Sequence, residues 1–131
     1  MNSLQELLQP TRHCTCSGYR KASRAVTQHY EAAFRGSGLR ATQFTILSTI
    51  AQTGPMPISK LASFLGLERT TLTRNLTLLV KRGLVVLHGE EDGRVRKIAL
   101  TLSGEAAVRE GFPLWQAAQE SVSDVLKKYG V

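Results

Sequence analysis

The sequence predicts a mainly α-helical domain with one small β-hairpin, and three stretches carry that prediction. In ISKLASFLGLERTTLTRNLTLLVKRGL, residues 58–84, apolar side chains recur at helical spacing on both sides of Gly66. Residues 84–88 and 96–101 read as two strands, with Asp92-Gly93 as the turn signal between them. Beyond Thr101 a last helical pattern runs over roughly 103–128.

At 131 residues the chain is long enough for one modest core and too short for two. Hydrophobic residues make up 42%, and no apolar run approaches the length of a membrane span. The start, MNSLQELLQP, lacks the basic and apolar stretches of a leader, so a cytoplasmic protein without a membrane partner is expected. Cys14 and Cys16 are too few and too close to build a disulfide framework.

Leu4, Leu7 and Leu8 form a short amphipathic segment ended by Pro10. So short a helix does not hold by itself, and its leucines need another surface to pack on. After Thr11, Tyr19, Ala22, Val26, Tyr30 and Ala33 recur at steps of three or four until Gly36-Ser37-Gly38 stops the helix. Its outer side carries Arg12, Arg20, Lys21, Arg24 and Arg35. A second helix opens at Ala41 or Thr42, with Phe44, Leu47, Ile50 and Ala51 on one face and Ile46 widening it, which predicts a central position. Gly54, Pro55 and Pro57 connect to the next helix, where Ser59 is the candidate N-cap and Ile58, Leu61, Ala62 and Leu65 form the apolar face. The following helix starts near Glu68 or Arg69, buries Leu72, Leu76, Leu79 and Val80, and ends at Arg82-Gly83, a cation followed by a glycine stop. Thr101 or Ser103 caps the last helix, and Pro113 is expected to kink it. Leu114, Trp115, Ala118, Val122, Val125 and Leu126 continue its stripe. That stripe and the N-terminal leucines exceed what so small a body covers, which points to a dimer interface built from the two ends of the chain.

Opposite the leucines, the helix after Gly66 presents Thr70, Thr73, Arg74, Thr77 and Lys81, with no acid anywhere between Arg69 and Arg82. The plainer alternative is a pair of core helices with a solvated outer face, but such a face usually mixes both signs of charge. Two short helices meeting at a glycine turn, the second with a basic face, form the helix-turn-helix arrangement used to enter the major groove of DNA. A hairpin placed directly after such a helix reads as a wing rather than an ordinary edge hairpin. Charge agrees: residues 12–97 hold 14 of the 17 Lys and Arg against five acids, an excess of nine, whereas residues 98–131 hold three cations against four acids. A basic body of this kind suits a polyanion, and charge by itself does not choose between DNA, RNA and an acidic membrane. An enzyme is not expected, and neither is a cofactor. His13, His29 and His88 fall in three separate elements, and no nucleophile–base pair or glycine-rich phosphate loop is present.

The order of parts, helix, helix, helix-turn-helix, basic-tipped wing and long final helix, resembles the MarR family of bacterial transcriptional regulators. The resemblance rests on Leu61-Ala62 followed by Leu65-Gly66-Leu67, on Arg69-Thr70-Thr71-Leu72-Thr73-Arg74-Asn75-Leu76, and on Lys81-Arg82-Gly83-Leu84-Val85 at the helix exit. Asp92-Gly93-Arg94 is similar to the family's wing-tip Asp-x-Arg, and Leu100-Thr101-Leu102-Ser103-Gly104 to its Leu-Thr-x-x-Gly junction. Glu68 departs from the stronger capping residue often found at its position. The resemblance covers about residues 12–126 and implies a winged helix-turn-helix, a two-fold homodimer formed by N- and C-terminal helices, no catalysis, and release of a near-palindromic operator in response to a small molecule or an oxidant. The expected organisation is a single domain over 1–131: N-terminal dimerisation helices over 1–38, a DNA-binding core over 39–101 and a C-terminal dimerisation helix over 102–131.

On this reading Arg69, Thr70, Thr71, Thr73, Arg74, Asn75 and Thr77 face DNA from the recognition helix. Arg74 is the prime candidate for a base, because its fork matches guanine bidentately, with a phosphate clamp as the alternative. Asn75 is placed to read adenine unless it turns inward beside Leu76. Ser59 and Lys60 contact backbone phosphate. Arg94 enters the narrow minor groove, Asp92 orients it, and Arg96 and Lys97 add phosphate contacts. For the signal, Cys14 and Cys16 sit at a helix start and are candidates for a redox site, a metal site shared with a second subunit, or two inert side chains. Tyr30, Phe44, Phe112 and Trp115 are candidates to line an effector pocket, against the plainer reading as core. Two rival functions remain at this stage: a thiol or metal sensor for which DNA release is the output, and a winged-helix protein-interaction module.

Overall fold

The computed structural model describes residues 3–89 and 96–130. Six helices and three short strands follow one another as α1 (Leu4–Leu8), a 3₁₀ turn (Gln9–His13), α2 (Thr15–Phe34), α3 (Ala41–Thr53), β1 (Met56–Pro57), α4 (Ile58–Leu65), α5 (Arg69–Lys81), β2 (Val85–Gly89), β3 (Arg96–Leu100) and α6 (Leu102–Lys127). Pro10 does not end the first helical segment outright. It sits early in the 3₁₀ turn, where its missing N–H has no partner to lose.

α3 lies at the centre, as the breadth of its apolar face predicts: Phe44, Ile46, Leu47 and Ile50 are all buried, with Ala51 the exception on its exposed edge. Around it, Phe34 of α2, Leu61 of α4, Leu72 and Leu79 of α5 and Ile98 of β3 complete one continuous core. Two helix starts are fixed from outside the helix. The Glu31 carboxylate of α2 accepts the Ala41 N–H at 2.6 Å and the Arg40 Nε at 2.6 Å, while Gln43 Oε1 accepts the Arg40 N–H at 3.0 Å. At the other end of the core the Thr101 hydroxyl accepts the Gly104 N–H at 3.0 Å, so Thr101, not Ser103, caps α6.

The hairpin is part of a three-stranded antiparallel sheet of order β1-β3-β2, with Val85 opposite Leu100 and Met56 opposite Ile98. β1 escapes a reading from sequence because two residues, Met56-Pro57, show no alternation; its Pro57 is tolerated at a sheet edge. The paired segments are Val85–Gly89 and Arg96–Leu100, each within a residue of expectation. The Asp92-Gly93 turn lies outside the described residues.

α6 does find a surface within the monomer, contrary to the expectation that little was left to cover. It packs along α2 and against α3, burying Gly111 and Ala118. The helix runs through Pro113 as one element. Polar contacts stitch the same seam: His29 Nε2 donates to the Ala118 carbonyl at 2.9 Å, and burial raises the pKa of the Tyr30 phenol, which donates to Gln119 Oε1. Exposed apolar side chains remain on α1 (Leu4, Leu7 and Leu8) and on α6 (Leu102 and Phe112), and also on α4 and α5 (Phe64 and Leu78). Tyr19, assigned from spacing to the packed face of α2, is exposed, whereas Ala22 one turn further on is buried.

Candidate nucleic-acid interface

Gly66 adopts the left-handed conformation at φ 65° that an L side chain resists, and two hydrogen bonds close the end of α4 behind it. The Gly66 N–H reaches the Ser63 carbonyl at 3.2 Å and the Leu67 N–H the Ala62 carbonyl at 3.0 Å. This Schellman closure turns the chain into α5. The cap expected from Ser59 is not made. α4 begins two residues earlier than such a cap implies, at Ile58 with Pro57 at its N-cap, which leaves Ser59 and Lys60 exposed in the first turn.

α5 is seated by Leu72, Leu76 and Leu79, none more than 4% exposed. Val80 departs from the predicted stripe: it is 40% exposed and, with Ile58, Leu76 and Leu87, walls a small apolar cleft between α4, α5 and β2. On the outer side Arg69, Thr70, Thr73, Arg74 and Thr77 are exposed together. Two residues are less free than the sequence suggests. Asn75 is half-buried and its Nδ2 donates to the Thr71 carbonyl at 2.9 Å, so this amide is committed to its own helix. The Thr77 hydroxyl likewise donates to the Thr73 carbonyl at 2.9 Å. At the other end Gly83, φ 73°, closes α5 with a second Schellman pair, Gly83 N–H to Val80 at 2.9 Å and Leu84 N–H to Leu79 at 3.0 Å. Arg96 and Lys97 are exposed at the turn-side end of the hairpin strands, opposite Gly89 and His88, while Asp92 and Arg94 lie outside the described residues.

Away from this face, Cys14 forms the N-cap of α2 and Cys16 lies in its first turn, both exposed and unbridged. Arg20 Nη2 stands 3.5 Å from the Cys16 Sγ. Among the described residues no group of three or more His, Cys, Asp or Glu is placed to hold a metal. A cleft of about 290 Å³ opens between α2, α3, the α4–α5 turn and α6. Tyr30 and Trp115 line it as expected, together with Val26, Phe34, Leu65 and Leu67. Phe44 and Phe112 do not: Phe44 is buried against Phe34 with ring centroids 5.2 Å apart, and Phe112 lies half-exposed on Trp115 at 5.8 Å.

Comparison with known proteins decides the lineage. The model of the MarR family matches residues 39–95, which run from just before α3 to the residue before β3. The solved structure of the transcriptional regulator MosR from M. tuberculosis superposes with a TM-score of 0.77 at 38% identity, covering 87% of this chain and 83% of that one. The chain belongs to the MarR family of transcriptional regulators. MosR has also been solved in complex with DNA, and that structure matches with a TM-score of 0.76 at 41% identity, over 86% of this chain and 82% of that one. A curated relative, an uncharacterised HTH-type transcriptional regulator, YwoH, from Bacillus subtilis strain 168, is 27% identical over 90 residues. That alignment covers 69% of this chain and 66% of YwoH, just under two thirds of its length.

Membership in the MarR family fits the winged helix-turn-helix built from α3 to β3, and the family consists of regulators rather than enzymes. Among the described residues no helix is long and apolar enough to cross a membrane. Two residues of this MarR-family chain went unnoticed as structural ties: Glu31, which fixes the start of α3, and Arg82, whose Nη1 donates to the Gly38 carbonyl at 2.6 Å. Neither leaves a local signal, since the Arg82 contact joins residues 44 apart in the chain.

Proposed function

We propose that the chain binds double-stranded DNA as a two-fold homodimer, reading a near-palindromic operator with α5 and releasing it in response to a small-molecule or oxidative signal. The observation that carries this is the outer face of α5: six exposed cations and hydroxyls, no acid, on a helix seated by three buried leucines. A cationic face with donors at its N-terminal half suits base edges and phosphates in a major groove. Arg69, Thr70, Thr71, Thr73 and Arg74 are assigned to that groove, Ser59 and Lys60 to the flanking backbone, Arg94 to the minor groove, and Arg96 and Lys97 to phosphates. Asn75 and Thr77 take lesser roles, because both side chains are already hydrogen-bonded along α5. That the related MosR has been solved with DNA supports the choice of partner. The exposed leucines of α1, with Phe112 of α6, support dimerisation through residues 1–38 and 102–131, leaving residues 39–101 as the reading unit. The cleft beside Tyr30 and Trp115 suits a small aromatic effector.

The test is a titration of reduced protein against the duplex upstream of its own gene and a scrambled duplex, at 50 and 200 mM salt. The expected result is a preference for the native duplex of at least about 10³-fold, with affinity falling steeply as salt rises. Equal, weak binding to both duplexes would leave only non-specific attraction and favour the interaction-module reading.

A thiol-sensing version of the same function is favoured by one observation: Cys14 and Cys16 are both exposed at the start of α2, with the Arg20 guanidinium beside the second sulfur. If oxidation is the signal, peroxide releases the wild-type protein from its duplex, and Cys14→Ser stays bound under the same treatment. Release of both proteins alike would place the sensor elsewhere.

A further inference from the structure

The six-residue connector between α2 and α3, residues 35–40, is made almost entirely of fixed points from Gly36 onward. Gly36 and Gly38 take left-handed conformations at φ 83° and 82°. Between them the Ser37 hydroxyl donates to the Phe34 carbonyl at 2.6 Å and accepts the Leu39 N–H at 3.1 Å, and Leu39 is buried in the core. Two side chains from outside then hold the connector. Glu31 of α2 grips Arg40 and the Ala41 N–H. Arg82, at the C-terminal cap of α5, donates to the Gly38 carbonyl, and its second terminal nitrogen lies 3.8 Å from where a Cβ on Gly38 would stand.

We infer that Arg82 is a positioning residue: with Glu31 it forms a latch through residues 36–40 that sets the recognition helix α5 relative to α2. This rests on the DNA-reading function proposed above and adds a route by which a change in α2 reaches the groove-facing helix. Arg82 is a cation in a basic region, and counting charge would assign it to DNA. Its place argues otherwise. It stands at the far end of a 13-residue helix, about 20 Å from its first residue and about 12 Å from Arg74. Its guanidinium is aimed at a backbone carbonyl of the connector. A charged donor on the carbonyl of left-handed Gly38, whose peptide leads into the buried Leu39, resists rotation of α5 about its own exit. The same connector passes directly into the Glu31 contact, so α2, α3 and α5 share one set of restraints.

The test uses the full chain with Arg82→Gln, Glu31→Gln and the double variant, measured on the upstream duplex, the scrambled duplex and the free protein. Arg82→Gln is expected to weaken operator binding about tenfold, lower the preference over the scrambled duplex, and leave the slope of log affinity against log salt unchanged. The double variant is expected to lose less than the two single losses combined, because both act through one connector. In the free protein, amide hydrogen exchange is expected to speed up both in the last turn of α5 and in the last turn of α2. A slope reduced by about one, with equal losses on both duplexes, makes Arg82 a phosphate contact and overturns the inference. Unchanged operator affinity with a lower Tm reduces Arg82 to a stabilising contact and also overturns it. Exchange accelerated at α5 alone sinks the latch without reference to DNA, so its failure is separable from a failure of the regulator reading, which the wild-type titration decides.

Discussion

Replacing Gly104 with alanine is expected to destabilise the protein by about 3 kcal/mol, a fall in Tm of about 10 °C. A Cβ at this position would stand 2.1 Å from the Leu84 carbonyl oxygen and 3.2 Å from a Leu100 methyl. The first of these is backbone, held by the hydrogen bond from the Thr101 N–H at 3.1 Å, so it has no rotamer through which to yield. Either α6 backs away from the hairpin or the hairpin base opens. Gly111→Ala is expected to cost less. Its Cβ would meet the Phe44 ring at 2.7 Å, and a ring tilts more readily than a peptide moves. Gly18→Ala supplies the opposite sign: nothing lies within 4 Å of its Cβ, and alanine in the body of α2 should stabilise by about 0.5–1 kcal/mol. Thermal unfolding of the three variants gives the ranking directly. A Gly104→Ala protein as stable as wild type would mean that α6 does not start against Leu84.

The second large effect concerns recognition. Arg74→Ala is expected to weaken operator binding about 10- to 100-fold while affecting a scrambled duplex much less, with Tm unchanged because the side chain is exposed and carries no packing. Competition binding against duplexes substituted at each guanine of the half-site identifies the base it reads. Losses of equal size on every duplex, with a salt slope lower by about one, would make Arg74 a phosphate clamp instead.

Helix type and order were readable from sequence wherever an apolar period met a glycine or proline stop, as at Gly66 and Gly83, because those signals are local. The motif Leu100-Thr101-Leu102-Ser103-Gly104 could be matched as a string, but its physical content was not visible. Gly104 is needed because a helix and a hairpin touch there, and that touch exists only in three dimensions. Periodicity also overreached at its edges. Val80, Ala51 and Tyr19 fit their stripes in register yet are exposed, since a stripe predicts which way a residue points and not whether a neighbour extends far enough to cover it. Spacing left Asn75 either reading adenine or turned inward beside Leu76, and had no means of showing its bond to Thr71. The polar ties at Glu31 and Arg82 were invisible for a related reason: each joins elements whose packing must be known first.

The Thr101 hydroxyl accepts from Gly104 and donates to the Gly83 carbonyl at 2.6 Å, while the Thr101 N–H holds the Leu84 carbonyl. One residue therefore staples the point where the chain leaves α5 to the point where it returns to enter α6. Val85 and Ile98 between them are also buried in the core, and β3 pairs with β1 as well as with β2. A change in the number of residues between Gly89 and Arg96 therefore costs only the slowly growing entropy of a larger or smaller loop and leaves the two helices where they were. The hairpin tip is thus the part of this architecture that evolution, or an engineer, can resize to suit a different groove without resetting the rest.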